Sequence, residues 1–161
     1  MYNTNMENFE ELIVNKLKEK KETISFMESC TGGYLANLIT NVSGASNVLK
    51  TSLVTYSNEY KIKFGVPKNI IDEYTVYSNE TAKNMAIKVS EFANSNYGIG
   101  ITGELANSKE EENKVYYCIY YKDNNTLTNK TICVEPCNRN EMKNFVAKNV
   151  LEELWNILMK N

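Results

Sequence analysis

Between residues 23 and 39 the chain changes its apolar period within a single turn. Thr23 to Met27 is a short β-like run, whereas Tyr34, Leu35, Leu38 and Ile39 recur at helical spacing before Gly44. The segment Glu28-Ser29-Cys30-Thr31-Gly32-Gly33 joins the two. A strand that passes through two glycines into a helix is a βα unit. Such units build open α/β sheets, in which ligands bind where a strand ends and a helix begins.

The rest of the chain extends the pattern. Apolar positions at helical spacing predict helices over residues 6–20, 58–64 and 138–160, with another at Pro67 to Glu73. A further helix is expected after Ser78-Asn79-Glu80-Thr81, a segment able to cap it. Strands are expected at Val48 to Tyr56, Tyr97 to Thr102, Val115 to Tyr121 and Thr126 to Val134, the last two forming a hairpin around Lys122 to Asn125. Gly103 to Lys114 reads as a polar, acidic loop. Helices before, between and after the strands predict a three-layer α/β/α sandwich with a mixed, mainly parallel sheet of about five strands. The 161 residues suit one domain spanning 1–161.

Bulk properties exclude whole classes of function. A formal net charge of −2 offers no basis for binding nucleic acid or a membrane surface. No apolar run reaches the ~20 residues of a membrane span. The polar start, Met1 to Glu11, is unlike a signal peptide. Cys30, Cys118, Cys133 and Cys137 form no CxxC pair, so reduced thiols and a cytoplasmic location are expected. The chain contains no histidine, which removes Ser-His-Asp, Cys-His and HExxH chemistry together. A base working near pH 7 must then be a carboxylate, a lysine, a tyrosine or water.

Three constellations remain. At the start of the helix after Gly33, unpaired N–H groups and the helix dipole favour an anion such as phosphate. Ser29, Cys30 and Thr31 offer three candidate nucleophiles or donors there, although a capped helix needs the same residue types. Tyr56-Ser57-Asn58-Glu59-Tyr60-Lys61 marks a second strand-to-helix junction, and a desolvated Lys61 would be a base that replaces histidine. Gly98-Ile99-Gly100-Ile101-Thr102-Gly103 matches GxGxxG, but its glycines fall inside a strand and no helix follows, so a dinucleotide site is rejected. Thr102 and Gly103, at that strand's end, remain able to line a pocket. Glu110-Glu111-Glu112 lacks the spacing of metal ligands, and no metal or cofactor is expected.

These residues resemble the C-terminal domain family of the competence/damage-inducible protein CinA, which includes standalone nicotinamide-nucleotide amidases. The resemblance covers nearly the whole chain. It rests on Glu28 to Gly33, Val42-Ser43-Gly44-Ala45-Ser46, Val54 to Glu59 with Lys61, Gly65-Val66, Val76-Tyr77-Ser78 and Ile101-Thr102-Gly103, all in the family's order. It implies a hydrolase of C–N amide bonds that deamidates nicotinamide mononucleotide to nicotinate mononucleotide and ammonia. Ser29 would be the nucleophile and Lys61 its base. Thr31, Tyr56 and Thr102 would be hydrogen-bonding neighbours, and N–H groups near Gly32 and Gly33 would hold an oxyanion or the phosphate. Self-association into a homo-oligomer is also implied.

The chain departs from the family after Gly103. Where the family continues Ile-Ala-Gly-Pro with further glycines, this sequence has Glu104-Leu105-Ala106-Asn107 and no glycine or proline up to Asn113. Glu104 brings negative charge toward the expected phosphate position. Arg139 is kept as a phosphate contact, while Lys143 stands where the family has a second arginine, without its bidentate fork. Two readings follow: an active amidase, or a weakened relative that binds a nucleotide or a partner protein without turnover.

Overall fold

In the computed structural model, which describes residues 8–108 and 110–161, the 23–27 run forms β1 (Ile24–Glu28), buried over its whole length. Met6, the first apolar position assigned to the opening helix, lies outside the described residues. That helix, α1, spans Phe9–Lys20 and is capped by the Asn8 side chain, which accepts from the Glu11 N–H. Along the chain follow α2 (Tyr34–Thr40), β2 (Leu49–Val54), α3 (Asn58–Lys63), α4 (Lys68–Tyr74) and α5 (Asn79–Ala93). Then come β3 (Tyr97–Gly103), β4 (Asn113–Tyr121), β5 (Thr126–Val134) and α6 (Arg139–Lys160).

The five strands form one mixed sheet in the order β2-β1-β3-β4-β5. β1 pairs in parallel with β2 and β3, while the hairpin adds β4 and β5 antiparallel. Alternation along each strand sorts side chains into two cores. Ile24 and Phe26 of β1, Tyr97, Ile99 and Ile101 of β3, and Val115, Tyr117 and Ile119 of β4 face α1, α2 and α6. The opposite face carries Met27 and Cys118 against Ala82, Met85, Ala86 and Val89 of α5. Helices therefore cover both faces, giving the three layers expected.

Gly98 and Gly100 point toward α5, and here the GxGxxG match finds its physical role. A Cβ added at Gly98 would stand 2.1 Å from the Ala86 carbonyl oxygen, and one at Gly100 would stand 2.3 Å from that of Ala82. The glycines let the helix backbone rest directly on the strand. This contact fixes α5 and the 75–78 segment that precedes it. Ser78 caps α5 by accepting from the Thr81 N–H, while the hydroxyls of Ser78 and Thr81 both donate to the Thr75 carbonyl.

Candidate functional site

β1, β2 and β3 all end on one edge of the sheet, and the segments leaving them converge there. Their parallel order makes this the edge at which ligand sites form in open α/β folds. A cleft of about 370 Å³ opens at that edge, with Ser29, Lys61 and Thr102 at its inner end and Tyr56, Tyr77 and Arg139 among its lining.

Ser29 directly follows β1. Its N–H donates to the Ile101 carbonyl and its own carbonyl accepts from Gly32, so the turn is tied to β3 and closed on itself. Gly32 and Gly33 adopt φ of +57° and +97°, which suits glycine and would strain most other residues. The side chain of Glu28 supports the turn from beneath. It is fully buried, and Oε1 accepts from the Thr31 hydroxyl and the Leu35 N–H. Oε2 accepts from the Ala36 N–H and the Ser52 hydroxyl.

Glu28 thus occupies two N–H groups at the start of α2. The anion-attracting feature read from the sequence is met by a carboxylate of the chain itself. Thr31, 1 % exposed, is turned inward to Glu28, and Thr31, Gly32 and Gly33 lie outside the cleft lining.

Lys61 comes from α3, whose start is capped by Ser57 Oγ accepting from the Tyr60 N–H. Its side chain is 1 % exposed, and its Nζ sits among three oxygens. It lies 2.9 Å from Ser29 Oγ, 2.8 Å from the Thr55 carbonyl and 3.1 Å from the Tyr56 carbonyl. Burial disfavours the ammonium and lowers its pKa from 10.5 to about 8. The geometry suits both protonation states. As an ammonium, Lys61 donates to all three oxygens. As an amine, it keeps two N–H bonds to the carbonyls and turns its lone pair to the Ser29 hydroxyl.

Cys30 also reaches the cleft, but burial, with a smaller contribution from the Glu28 charge, pushes its thiol up to about 12. At neutral pH it is an inert thiol, which leaves Ser29 as the better-placed nucleophile.

The other expected residues take distinct positions. Thr102 lines the cleft and donates its hydroxyl to the Val76 carbonyl at 2.8 Å, tying β3 to the loop before α5. Gly103 lies beside it, and a Cβ there would press within 2.7 Å of the Lys114 carbonyl oxygen and Val115 Cα. Arg139 is the first residue of α6, and its guanidinium donates to the Tyr56 hydroxyl at 3.2 Å across the cleft mouth. Lys143, one turn further along, approaches Gly32 instead: a Cβ on that glycine would lie 3.6 Å from its Nζ.

Sequence reasoning did not single out Asn58, Tyr77 or Asn107, which also line the cleft. Each falls in a segment noted for other residues, and only the fold brings those segments together around one cleft. Glu104, noted for its charge, faces the same space. Among the described residues no group of His, Cys, Asp and Glu could hold a metal, and no helix is long and apolar enough to cross a membrane.

Residues 6–158 match the profile of the CinA C-terminal domain. A CinA-like protein of Prochlorococcus marinus is 37 % identical over 158 residues, covering 95 % of this chain and 36 % of that protein. A CinA-like protein of Desulfovibrio desulfuricans is 36 % identical over 121 residues, covering 74 % of this chain and 28 % of that protein. The chain thus spans roughly a third of the length of these curated relatives. Among solved structures, a competence-damaged protein (CinA) superfamily protein from Escherichia coli superposes with a TM-score of 0.86 at 20 % identity, covering 98 % of this chain and 93 % of that one. The competence/damage inducible protein CihA from Agrobacterium tumefaciens gives 0.83 at 23 %, covering 94 % and 96 %. These two likenesses concern the fold.

Proposed function

The chain belongs to the CinA C-terminal domain family, and on that premise we propose that it is a serine amidohydrolase that deamidates nicotinamide mononucleotide. The single observation carrying the reading is the 2.9 Å contact between Ser29 Oγ and a buried lysine, in a chain without histidine.

In this reading the neutral Lys61 amine takes the hydroxyl proton as Ser29 Oγ attacks the carboxamide carbon. The resulting ammonium returns that proton to the departing nitrogen, the C–N bond breaks, and ammonia leaves. The acyl group stays on Ser29 as an ester. Lys61 then deprotonates a water molecule that attacks the ester, and the ester oxygen leaves as the Ser29 hydroxyl, regenerated with that proton. Nicotinate mononucleotide is released. Arg139 and Tyr56, paired across the cleft mouth, supply donors for a phosphate away from the reacting centre.

Ammonia release from nicotinamide mononucleotide by the purified protein tests the proposal. Turnover lost in both Ser29→Ala and Lys61→Ala is expected. A folded wild-type protein that binds the nucleotide and releases no ammonia would refute the reaction.

A further inference from the structure

Ser29 and Lys61 meet where two neighbouring strands end. Ser29 follows the last residue of β1, while Thr55 and Tyr56, whose carbonyls seat the Lys61 amine, follow the last residue of β2. Their contact therefore depends on where β2 lies relative to β1. β2 is an edge strand with β1 as its neighbour, and the pairing is irregular at its start. Ile24 stands opposite Leu49 and Ser25 opposite Thr51, which leaves Lys50 as an extra residue on the outer strand. Continuous register runs from the Ser25–Thr51 pair to the Glu28–Val54 pair, a short hold for a strand that leads into the site.

Glu28 reinforces that hold twice. Its carbonyl accepts from the Thr55 N–H at 3.0 Å, and Oε2 of its side chain accepts from the Ser52 hydroxyl at 2.9 Å. The first bond closes a ring. The Glu28 carbonyl takes the Thr55 N–H, the Thr55 carbonyl takes Lys61 Nζ, Nζ meets Ser29 Oγ, and a peptide bond joins Ser29 to Glu28. The second bond spans the two strands from a carboxylate that also holds the Thr31 hydroxyl and the Leu35 and Ala36 N–H groups. One fully buried side chain thus ties together the turn that carries Ser29, the start of α2 and the strand that leads to the Lys61 cradle.

We propose that Glu28 and Ser52 are positioning residues: their hydrogen bond holds the end of β2 against the end of β1 and so sets the distance between Lys61 Nζ and Ser29 Oγ. The proposal rests on the amidohydrolase reading, in which the hydroxyl proton crosses that distance. Neither residue lines the cleft, so both act through the pair and not on the ligand. A carboxylate accepts at both oxygens, which lets Glu28 serve four donors at once. Ser52→Ala removes one of those bonds and leaves the partners in the turn and α2 untouched.

The test compares Ser52→Ala with Ser52→Thr, which keeps the hydroxyl. Ser52 is half-buried, and a circular dichroism spectrum checks that each variant is folded. Two rates are read. One is kcat for ammonia release from nicotinamide mononucleotide. The other is labelling of Ser29 by a fluorophosphonate, located by peptide mapping, in which Oγ bonds to phosphorus, fluoride leaves and Lys61 takes the hydroxyl proton. Ser52→Ala is expected to lower both rates about tenfold with KM unchanged, inside the hundredfold that a misplacement of about 1 Å can cost. Ser52→Thr should restore both. Glu28→Gln, which sets an amide donor against the Ala36 N–H, should fall at least as far as Ser52→Ala. Unchanged rates in Ser52→Ala, equal losses in Ser52→Ala and Ser52→Thr, a loss confined to KM, or a wild-type Ser29 that takes no label would overturn the tie. Labelling that depends on Ser52 in a protein that releases no ammonia refutes the amidase and keeps the tie, and ammonia release indifferent to Ser52 does the reverse.

Discussion

Lys61 Nζ lies 2.9 Å from Ser29 Oγ although 32 positions separate the two residues. Only the amine form of Lys61 can accept the hydroxyl proton, and burial brings its pKa down to about 8. Activity should therefore follow the neutral fraction of this group. Below pH 8, kcat/KM for ammonia release is expected to rise about tenfold per pH unit and then level off above it. A profile flat from pH 6 to pH 9 would exclude Lys61 as the base.

The same pKa ties the fold to pH. Between about pH 8 and pH 10.5 the unfolded chain still holds a proton on Lys61 that the folded chain has released. Stability rises with pH wherever the unfolded state binds more protons. Below pH 8 both states are protonated and the cost of the buried ammonium is carried in full. Compared with Lys61→Met, the wild-type protein should thus gain stability from pH 7.5 to pH 10, on the order of 2 kcal/mol. Urea unfolding of both proteins at the two pH values measures the difference, and a constant gap would mean that Lys61 is not neutral in the folded state.

Glu28 supports the turn that carries Ser29, with four donors ending on its carboxylate. Glu28→Ala leaves the Leu35 and Ala36 N–H groups and two hydroxyls without that acceptor. Loss of about 3 kcal/mol is expected, the scale for buried donors deprived of a partner. Glu28→Gln keeps the shape and part of the bonding, so its loss in chemical denaturation should be smaller. Equal stability of Glu28→Ala and the wild type would show that the bonds are not formed.

The contact of α5 with β3 has no room to yield. At Gly100 an added methyl would meet the Ala82 carbonyl oxygen at 2.3 Å and the Ala86 N at 2.6 Å, both backbone atoms. Gly100→Ala should destabilise the protein by about 2 kcal/mol or more, the cost of an overpacked core. An unchanged melting temperature would contradict this packing.

The thiols divide by exposure. Cys133 and Cys137 are exposed, while Cys30 and Cys118 are buried and both are raised to about 12. Iodoacetamide at pH 8 should label the first two in the native protein and all four only after unfolding, as intact-mass measurement would show. Rapid native labelling of Cys30 would reopen its candidacy as nucleophile.

The layer architecture was legible because apolar period is a local signal. Thr23 to Met27 and Tyr97 to Thr102 are strands to within one residue of their observed bounds. The expected strand at 48–56 stops at Val54, however, because the carbonyls of Thr55 and Tyr56 turn away from the ladder to Lys61. The acidic 103–114 stretch also hid an ordered piece: Asn113 begins β4 and holds the Ala106 backbone. At the site, the lack of histidine directed attention to Lys61, but its approach to Ser29 depends on strand order, which period does not encode. Glu28 illustrates the opposite limit. Its neighbours in the turn suggested anion binding, and no local pattern shows that its own side chain would fill that role.

The carbonyl cradle around Lys61 is made of main chain. Substituting the side chains of Thr55 or Tyr56 leaves those two oxygens in place, so the seat of the Lys61 amine beside Ser29 is insulated from changes that reshape the cleft mouth. Tyr77 and Tyr56 can be exchanged one at a time without removing either oxygen. A lineage built on this frame can change its diet while keeping its teeth.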